Sequence, residues 1–457
     1  MQITIPKDVS NIINILESHG FEAYVVGGCV RESVLGKTPA DWDITTSAKP
    51  EEVKALFART IDTGLKHGTV TIMVDKTGYE VTTYRVDGLY EDHRRPRDVT
   101  FTTSLKKDLM RRDFTINAMA YNESKGLVDL FGGIKDLGAG IIRCVGDPEE
   151  RFEEDALRML RAIRFAGQLG FDIDPVTKNA IFLTRHLLSS VSAERIQMEL
   201  LKLLISDHPD ILRTAYETRL TGIFLPEFDR MMETPQNNPH HRFTVGEHTL
   251  HAMMEIEANP ILRLTMLFHD IGKPLTRTTD AQGIDHFYNH DRVGSDLAGD
   301  ILKRLKFDNK TIDLVTTLIR NHDTRFRNPK SNGRRHVRRV INKVGRDLFP
   351  YLLKVMEADV RAQSSYMQEM KLTILGETRE TYDEILAAGD CLTLKDLKID
   401  GRQLMALGIS EGRMIGAILS TLLSMILEHP ELNDPDYLKE LALKIYDQLK
   451  NQAEITS

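Results

Sequence analysis

The residues of this 457-residue chain best placed for chemistry are two carboxylates one residue apart, Asp41 and Asp43 in ADWDITT. In an extended strand, residues i and i+2 face the same side, so both carboxylates meet at one spot. Two such groups repel unless a cation stands between them, and one or two Mg²⁺ ions answer that need. The chemistry to expect is that of phosphate groups. Just upstream, the apolar run Ala23 to Val26 leads into Gly27 and Gly28, which leave no Cβ above the turn. Backbone N–H groups can then approach a phosphate closely, with Arg31 in the first turn of the next helix. Each feature alone also suits a solvated loop or an ordinary tight turn. Together, in one strand-turn-helix-strand unit, they point to catalysis.

A second constellation begins near residue 240. His248 precedes LRLTMLFHDIGK (262–273), where His269 and Asp270 end a strongly apolar helix; His290, His322, Asp323 and Asp359 follow. Adjacent His and Asp at the end of a buried helix are poor core residues, because neither is cheap to bury unpaired.

The elements that must position these groups can be read from periodicity. Asp8 to Gly20 is expected as an amphipathic helix capped by Asp8. Ala23 to Val26, Thr69 to Val74 and Tyr79 to Arg85 are expected as strands, with a helix from Pro50 to Ala58 between them. RRDFTINAMA (111–120) reads as a helix start, with Asp113 as its N-cap and Phe114, Ile116 and Met119 inward. From Asp147 onward the chain reads as helical; Ser192 caps a packing helix to Leu204, and Arg402 to Glu428 is another amphipathic helix.

Composition sets further bounds. Hydrophobic residues make up 41% and charged residues 28%, ordinary for a globular protein. The net charge of −7 argues against a globally basic nucleic-acid binder but allows a local basic face. Arg325 to Arg339 is the densest such run and is expected to contact an RNA backbone. Cys29, Cys144 and Cys391 are far apart and lack metal-type spacing, which fits a reducing cytoplasm. No stretch approaches the roughly 20 apolar residues of a membrane span.

Four motifs then agree in order. Gly27-Gly28-x-Val30-Arg31 with Asp41-x-Asp43, Arg111-Arg112-Asp113-Phe114-Thr115-Ile116-Asn117-Ala118, and Glu154-Asp155-x-x-Arg158-x-x-Arg161 resemble the bacterial class II tRNA nucleotidyltransferases, the CCA-adding enzymes, and their relatives the bacterial poly(A) polymerases. The resemblance implies that Asp41 and Asp43 hold catalytic Mg²⁺, with Glu80 as the candidate third carboxylate from a neighbouring strand. It implies nucleotide binding by Gly28 and Arg31, and NTP recognition by Arg112, Asp113 and Asn117, where an aspartate accepting from the 2′-hydroxyl would reject a dNTP. Asp155 and Arg158, with Arg161 and Arg164 on the same helix, would present acceptor and donor to a base edge, so that side chains act as the template. Cytosine and adenine each offer an amine donor beside a ring-nitrogen acceptor, which one Asp plus one Arg can serve. The polar stretch Asp87 to Thr103, with Arg94, Arg95 and Arg97, matches a loop the family needs for adding the final A.

The pattern of His248, His269, Asp270 and Asp359 resembles the HD-domain phosphohydrolases. It implies that these four ligate a divalent ion of unknown identity that activates water, with His290 and His322 for phosphate contact or a second metal. The fold expected is α+β: a nucleotidyltransferase head on a sheet (1–145), then a helical neck (146–235), an HD domain (236–370) and a helical C-terminal body (371–457). The expected function is addition of CCA to tRNA from CTP and ATP, with phosphohydrolase activity on RNA 3′ ends. An A-adding enzyme or a poly(A) polymerase is the near alternative, and an HD hydrolase as the main activity is the distant one. Partners expected are tRNA, CTP and ATP, with no membrane.

Overall fold

The computed structural model describes residues 2–88, 90, 91, 95, 96, 99–409 and 412–456, without side chains for 87, 90, 91, 95, 96 and 451–456. Arg94, Arg97 and the side chain of Arg95 lie outside this set. The chain forms two compact units, one reaching to Met232 and taking in Ile301–Phe307, the other comprising Glu233–Asp300 and the chain from Asp308 onward. The finer division at 145, 235 and 370 is a proposal within these units.

The first unit is built on a sheet in which an interior strand, β1 (Ala23–Val26), is buried along its whole length. It pairs antiparallel with β2 (Ile44–Thr46) on one side and with β6 (Met119–Asn122) on the other. Beyond β2 stand β5 (Thr77–Thr83), β4 (Thr69–Val74) and β3 (Thr60–Gly64), and beyond β6 stands β7 (Gly126–Asp129). Alternation gives the sheet two characters. Ile44, Val70, Ile72 and Val81 are buried on one face, while Thr45, Thr69, Thr71 and Thr82 line the other. Hydroxyls bridge strands on that polar face, Thr69 to Thr82 at 3.0 Å and Thr63 to Thr71 at 2.8 Å. Helix Lys7–Ser18 buries Val9, Ile12, Ile13 and Leu16; its N-cap position is Pro6, so Asp8 sits in the first turn and does not cap.

The largest departure from the sequence reading is RRDFTINAMA. A helix (Leu105–Met110) ends before it, and no helix starts there. Phe114 bridges Cys144, Thr115–Asn117 makes one 3₁₀ turn, and β6 follows. Tertiary pairing overrides the local capping pattern, although Phe114, Ile116 and Met119 are fully buried as expected. The first unit then continues as helices, among them Pro148–Glu154, capped by Asp147, the arginine-bearing helix Leu157–Leu169, and Ala193–Leu204.

In the second unit, helices from Val245–Met254 to Pro435–Thr456 surround a core that includes Leu318, Val337, Phe349, Leu352, Ile418 and Leu422. The expected helix from Arg402 is interrupted: Gly401–Ala406 and Arg413–Glu428 are separate, because Gly408 and Gly412 take φ of 85° and 93°. Among the described residues, no helix is long and apolar enough to cross a membrane.

The arginine-bearing helix packs on Ala193–Leu204 and the turn after it so closely that a Cβ on Gly167 would stand 2.9 Å from Leu203 Cδ1 and 3.0 Å from the His208 carbonyl oxygen. Gly167→Ala is therefore expected to destabilise the first unit by about 1–3 kcal/mol through overpacking, measured as a lower denaturation midpoint at unchanged slope.

Candidate active sites

Asp41 and Asp43 lie in the extended segment that leads into β2, not within the strand. The ladder nonetheless continues through them, since Val26 N donates to the Asp43 carbonyl at 3.0 Å. By alternation Asp41, Asp43 and Thr45 share the polar face. β2 runs parallel to β5 with Ile44 beside Val81, so the next position back sets Glu80 beside Asp43 on that same face. Both aspartates and Glu80 are open to solvent. Even so, surrounding protein and the neighbouring Asp41 raise the Asp43 carboxyl above its usual range, against the pull of Arg112. A pair of carboxylates crowded in this way fits a divalent cation.

At the mouth of β1, Gly27 takes φ of 80°, and a Cβ there would come within 3.3 Å of Arg112 Nη1. Gly28 opens helix Gly28–Val34 with no such constraint. Arg112 is anchored by Asp108, a fully buried carboxylate that also pairs with Arg111 at 2.7 Å and accepts from Thr45 Oγ1 at 3.2 Å. Burial opposes the charge on Asp108, but Arg112 and Arg111 hold its carboxyl below the usual range. Asp108 was not among the expected site residues, although its spacing of three and four residues from two arginines was visible.

Asp113 is the junction of this site. Its Oδ1 accepts from Phe114 N at 2.8 Å and Asn117 Nδ2 at 3.1 Å, and its Oδ2 accepts both Nε and Nη2 of Arg161, at 2.9 and 2.5 Å. Asn117 Oδ1 in turn accepts from Arg31 Nη1. Although burial opposes ionisation, Arg161 and the Asn117 amide keep the Asp113 carboxyl well below the usual range. Arg31, Arg161 and Arg164 gather round the Phe165 ring at 5.1, 5.3 and 3.9 Å. A cleft of about 280 Å³ lined by Arg31, Glu32, Lys37, Phe165 and Gln168 opens beside them.

Asp155 ends the helix before the arginine-bearing one and accepts from Arg195 at 2.9 Å. Arg158 donates to the carbonyls of Arg111 and Arg151, at 2.9 and 3.1 Å, and to Glu154 at 2.6 Å. Arg164 pairs with Glu199. Arg195 and Glu199 belong to the helix read from sequence as packing support for this pocket, and they hold two of the expected nucleotide contacts.

The second constellation is brought together except for Asp323, which stands exposed beside Arg325. His248 Nε2 lies 2.8 Å from Asp359 Oδ1, and His269 Nε2 stands 3.2 Å from Asp270 Oδ2 and 3.8 Å from Asp359 Oδ1. Asp270 Oδ1 is 3.6 Å from His290 Nε2 and 3.7 Å from His322 Nε2. The potential ligands fall into two trios, His248, His269 and Asp359, and Asp270, His290 and His322. Nδ1 of His269, His290 and His322 meets the backbone oxygens of Met266, Phe287 and Ile319 at 2.6 to 2.8 Å, which turns each Nε2 toward the centre. His269 Nε2 is buried without a hydrogen-bond partner. This donor set fits divalent metal. The turn after Asp270 is fixed by Gly272, where a Cβ would lie 2.2 Å from the His290 carbonyl oxygen. Lys273, three residues past Asp270, reaches it at 2.7 Å and also donates to Gln236 at 2.8 Å; sequence reading passed over it.

The basic run meets acids of its own unit: Arg334 with Glu384, Arg338 with Asp390, and Arg335 and Arg339 with Glu428. Its expected role on an RNA backbone is a proposal, and Arg325, Arg335 and Arg339 remain exposed.

Comparison with known proteins follows the same division. Residues 23–143 match the Poly A polymerase head domain, 170–232 the probable RNA and SrmB-binding site of polymerase A, and 240–363 the HD domain. The CCA-adding enzyme of Pediococcus pentosaceus is 41% identical over 304 residues, 64% of this chain and 76% of that one. That of Lactiplantibacillus plantarum is 52% identical over 221 residues, 48% of this chain and 53% of that one. With several such curated relatives the match thus spans only about half of their length. The crystal structure of the Bacillus stearothermophilus CCA-adding enzyme in complex with CTP has a TM-score of 0.73 at 28% identity, covering 98% of this chain and 100% of that one. A Thermotoga maritima CCA-adding enzyme complexed with tRNA, at 21% identity and TM-score 0.56 over 97% of this chain and 100% of that one, shows the fold alone.

Asp113→Asn is expected to cost about 2 kcal/mol, less than the ~3–5 of a fully buried broken pair because Arg161 is 33% exposed. The depressed carboxyl stabilises the fold above its unfolded pKa of about 3.9 and loses that contribution as pH falls toward its folded value. Denaturant titrations should therefore give a constant difference between variant and wild type from about pH 5 to 8, narrowing below about pH 4.

Proposed function

The chain belongs to the family of CCA-adding enzymes, and we propose that it completes tRNA 3′ ends by adding C, C and A from CTP and ATP. The observation that carries this reading is the polar face on which Asp41, Asp43 and Glu80 meet, beside the Gly27 turn and the Arg112 guanidinium. Mg²⁺ held there would supply the positive charge that activates a 3′-hydroxyl and steadies a triphosphate.

The chain's own groups do the remaining work. Arg112, held by Asp108, and Arg31, held by Asn117, supply fixed positive charge for phosphates without reorganising. Gly28 opens a helix beside them. Asp113, Asn117 and Arg161 form the wall against which a ribose can be checked, and Arg164 stacks behind it on Phe165. Asp155 and Arg158, released from Arg195 and from the carbonyls they now face, read the base edge. The histidine site is read as a phosphohydrolase for RNA 3′ ends, supported by its inward-turned Nε2 atoms; its metal would be held by His248, His269, Asp270 and Asp359 and would supply an activated water. Three buried, unpaired thiols suit a reducing cytoplasm.

Purified protein with Mg²⁺ is expected to extend tRNA lacking its end by CCA. Asp41→Asn and Asp43→Asn should each slow this by on the order of 10³-fold, the loss of several kcal/mol of charge stabilisation. Incorporation of A alone onto tRNA already ending in CC would make it an A-adding enzyme, and long A tails on unrelated RNA a poly(A) polymerase.

His269→Ala and Asp270→Ala should leave CCA addition within about twofold, as expected of sites on separate units, while abolishing hydrolysis of 2′,3′-cyclic phosphates and lowering bound metal. Loss of all activity in these variants, with Asp41→Ala still active, would make the hydrolase the main function.

A further inference from the structure

Resting on the phosphohydrolase reading of the histidine site, we infer that Lys371, His240 and Tyr366 form a nucleotide subsite beside it. Lys371 meets the phosphodiester next to the hydrolysed phosphate, and Tyr366 stacks the base, so the substrate is a ribonucleotide chain end and not a small phosphate ester.

The subsite is joined to the metal-type ligands by hydrogen bonds. Gln363 Nε2 donates to both oxygens of Asp359 at 3.1 Å, and its Oε1 accepts from Lys371 Nζ. Lys371 Nζ also lies 3.2 Å from His240 Nδ1. Both partners of this half-buried lysine are neutral, and among the described residues no carboxylate pairs with it within ion-pair distance. Burial lowers its pKa, as it does that of His240, which Lys371 depresses further, so His240 accepts from the lysine. A cation kept beside a catalytic-type cluster without its own carboxylate is placed to receive an external anion. Arg325, whose side chain is 79% exposed, adds positive potential at His240 and Lys371.

The aromatic part is equally fixed. The Tyr366 ring, 51% exposed, stands edge-on to His240 at 5.0 Å. Ser364 stitches the two segments together, its N–H donating to the His240 carbonyl at 2.8 Å and its hydroxyl to that of Pro239 at 2.5 Å. Met367, next in the chain, is a non-glycine residue at φ 57°, and helix Gln368–Ala387, which carries Lys371, starts from it. A strained residue that holds an exposed ring one step from a half-buried lysine is a device for presenting both to one ligand. Exposed rings beside cations are how single-stranded nucleic acid is gripped, by stacking and charge together.

The full-length, Mn²⁺-loaded protein should be assayed on two substrates, a dinucleotide ending in a 2′,3′-cyclic phosphate and bis(p-nitrophenyl) phosphate. Lys371→Met and Tyr366→Ala are expected to lower the preference for the dinucleotide, the ratio of the two kcat/KM values, roughly tenfold and mainly through KM. Tyr366→Phe should restore it, and thermal melting controls for folding. An unaltered ratio in both variants overturns the subsite. Should wild type hydrolyse neither substrate, the phosphohydrolase reading falls by itself. Fluorescence anisotropy of a labelled dinucleotide 3′-phosphate then decides the subsite: weaker binding by both variants sustains it, and equal binding overturns it.

Discussion

The ion pair between Asp113 and Arg161 is the contact on which the first unit's site depends. One carboxylate takes a backbone N–H, the Asn117 amide and two donors of a guanidinium 48 residues later. Through Asn117 it reaches Arg31, and so fixes the helix that follows the glycine turn. The turn after β1, the 3₁₀ segment and the arginine-bearing helix are thereby locked to one another. Such a network rewards completeness, because each buried member left unsatisfied costs its full desolvation.

The two sites solve the problem of crowded charge in opposite ways. In the first, carboxylates stand on a threonine-lined face, where the surrounding protein, with a smaller push from Asp41, raises Asp43 against the pull of Arg112. In the second, two carboxylates are sunk among histidines, three of which have their outer nitrogens pinned to backbone carbonyls. There burial opposes the charge on Asp270 and Asp359, and the surrounding rings and Lys273 outweigh it. An open site suits reactants as large as a nucleotide and an RNA end together, whereas a closed one must be approached from its rim.

Much of this was legible from residue order wherever the determining forces are local. The runs AYVV and TVTIMV became strands at the bounds expected of them, because alternation and β-branching act within a few residues. The pairing of Asp41 with Asp43 needed only extended-chain parity, whereas Glu80 joins them through the register of β5 on β2. RRDFTINAMA was misread because its true partners, Cys144 and Arg161, are 30 or more positions away. The ion pairs of the basic run were hidden for the same reason, its acids Glu384, Asp390 and Glu428 lying far downstream. Asp108 shows the converse, a local pattern in plain view whose importance depended on Thr45 from another strand.

Arg158 carries a consequence for fidelity. Its fork already grips two main-chain carbonyls, so under the proposed role a base must outbid the protein's own backbone before it is read. Selection then becomes an exchange of one set of partners for another, and a mismatched base that offers fewer acceptors simply leaves the arginine where it rests. The resting contacts act as a threshold, rejecting poor candidates without any element built to exclude them.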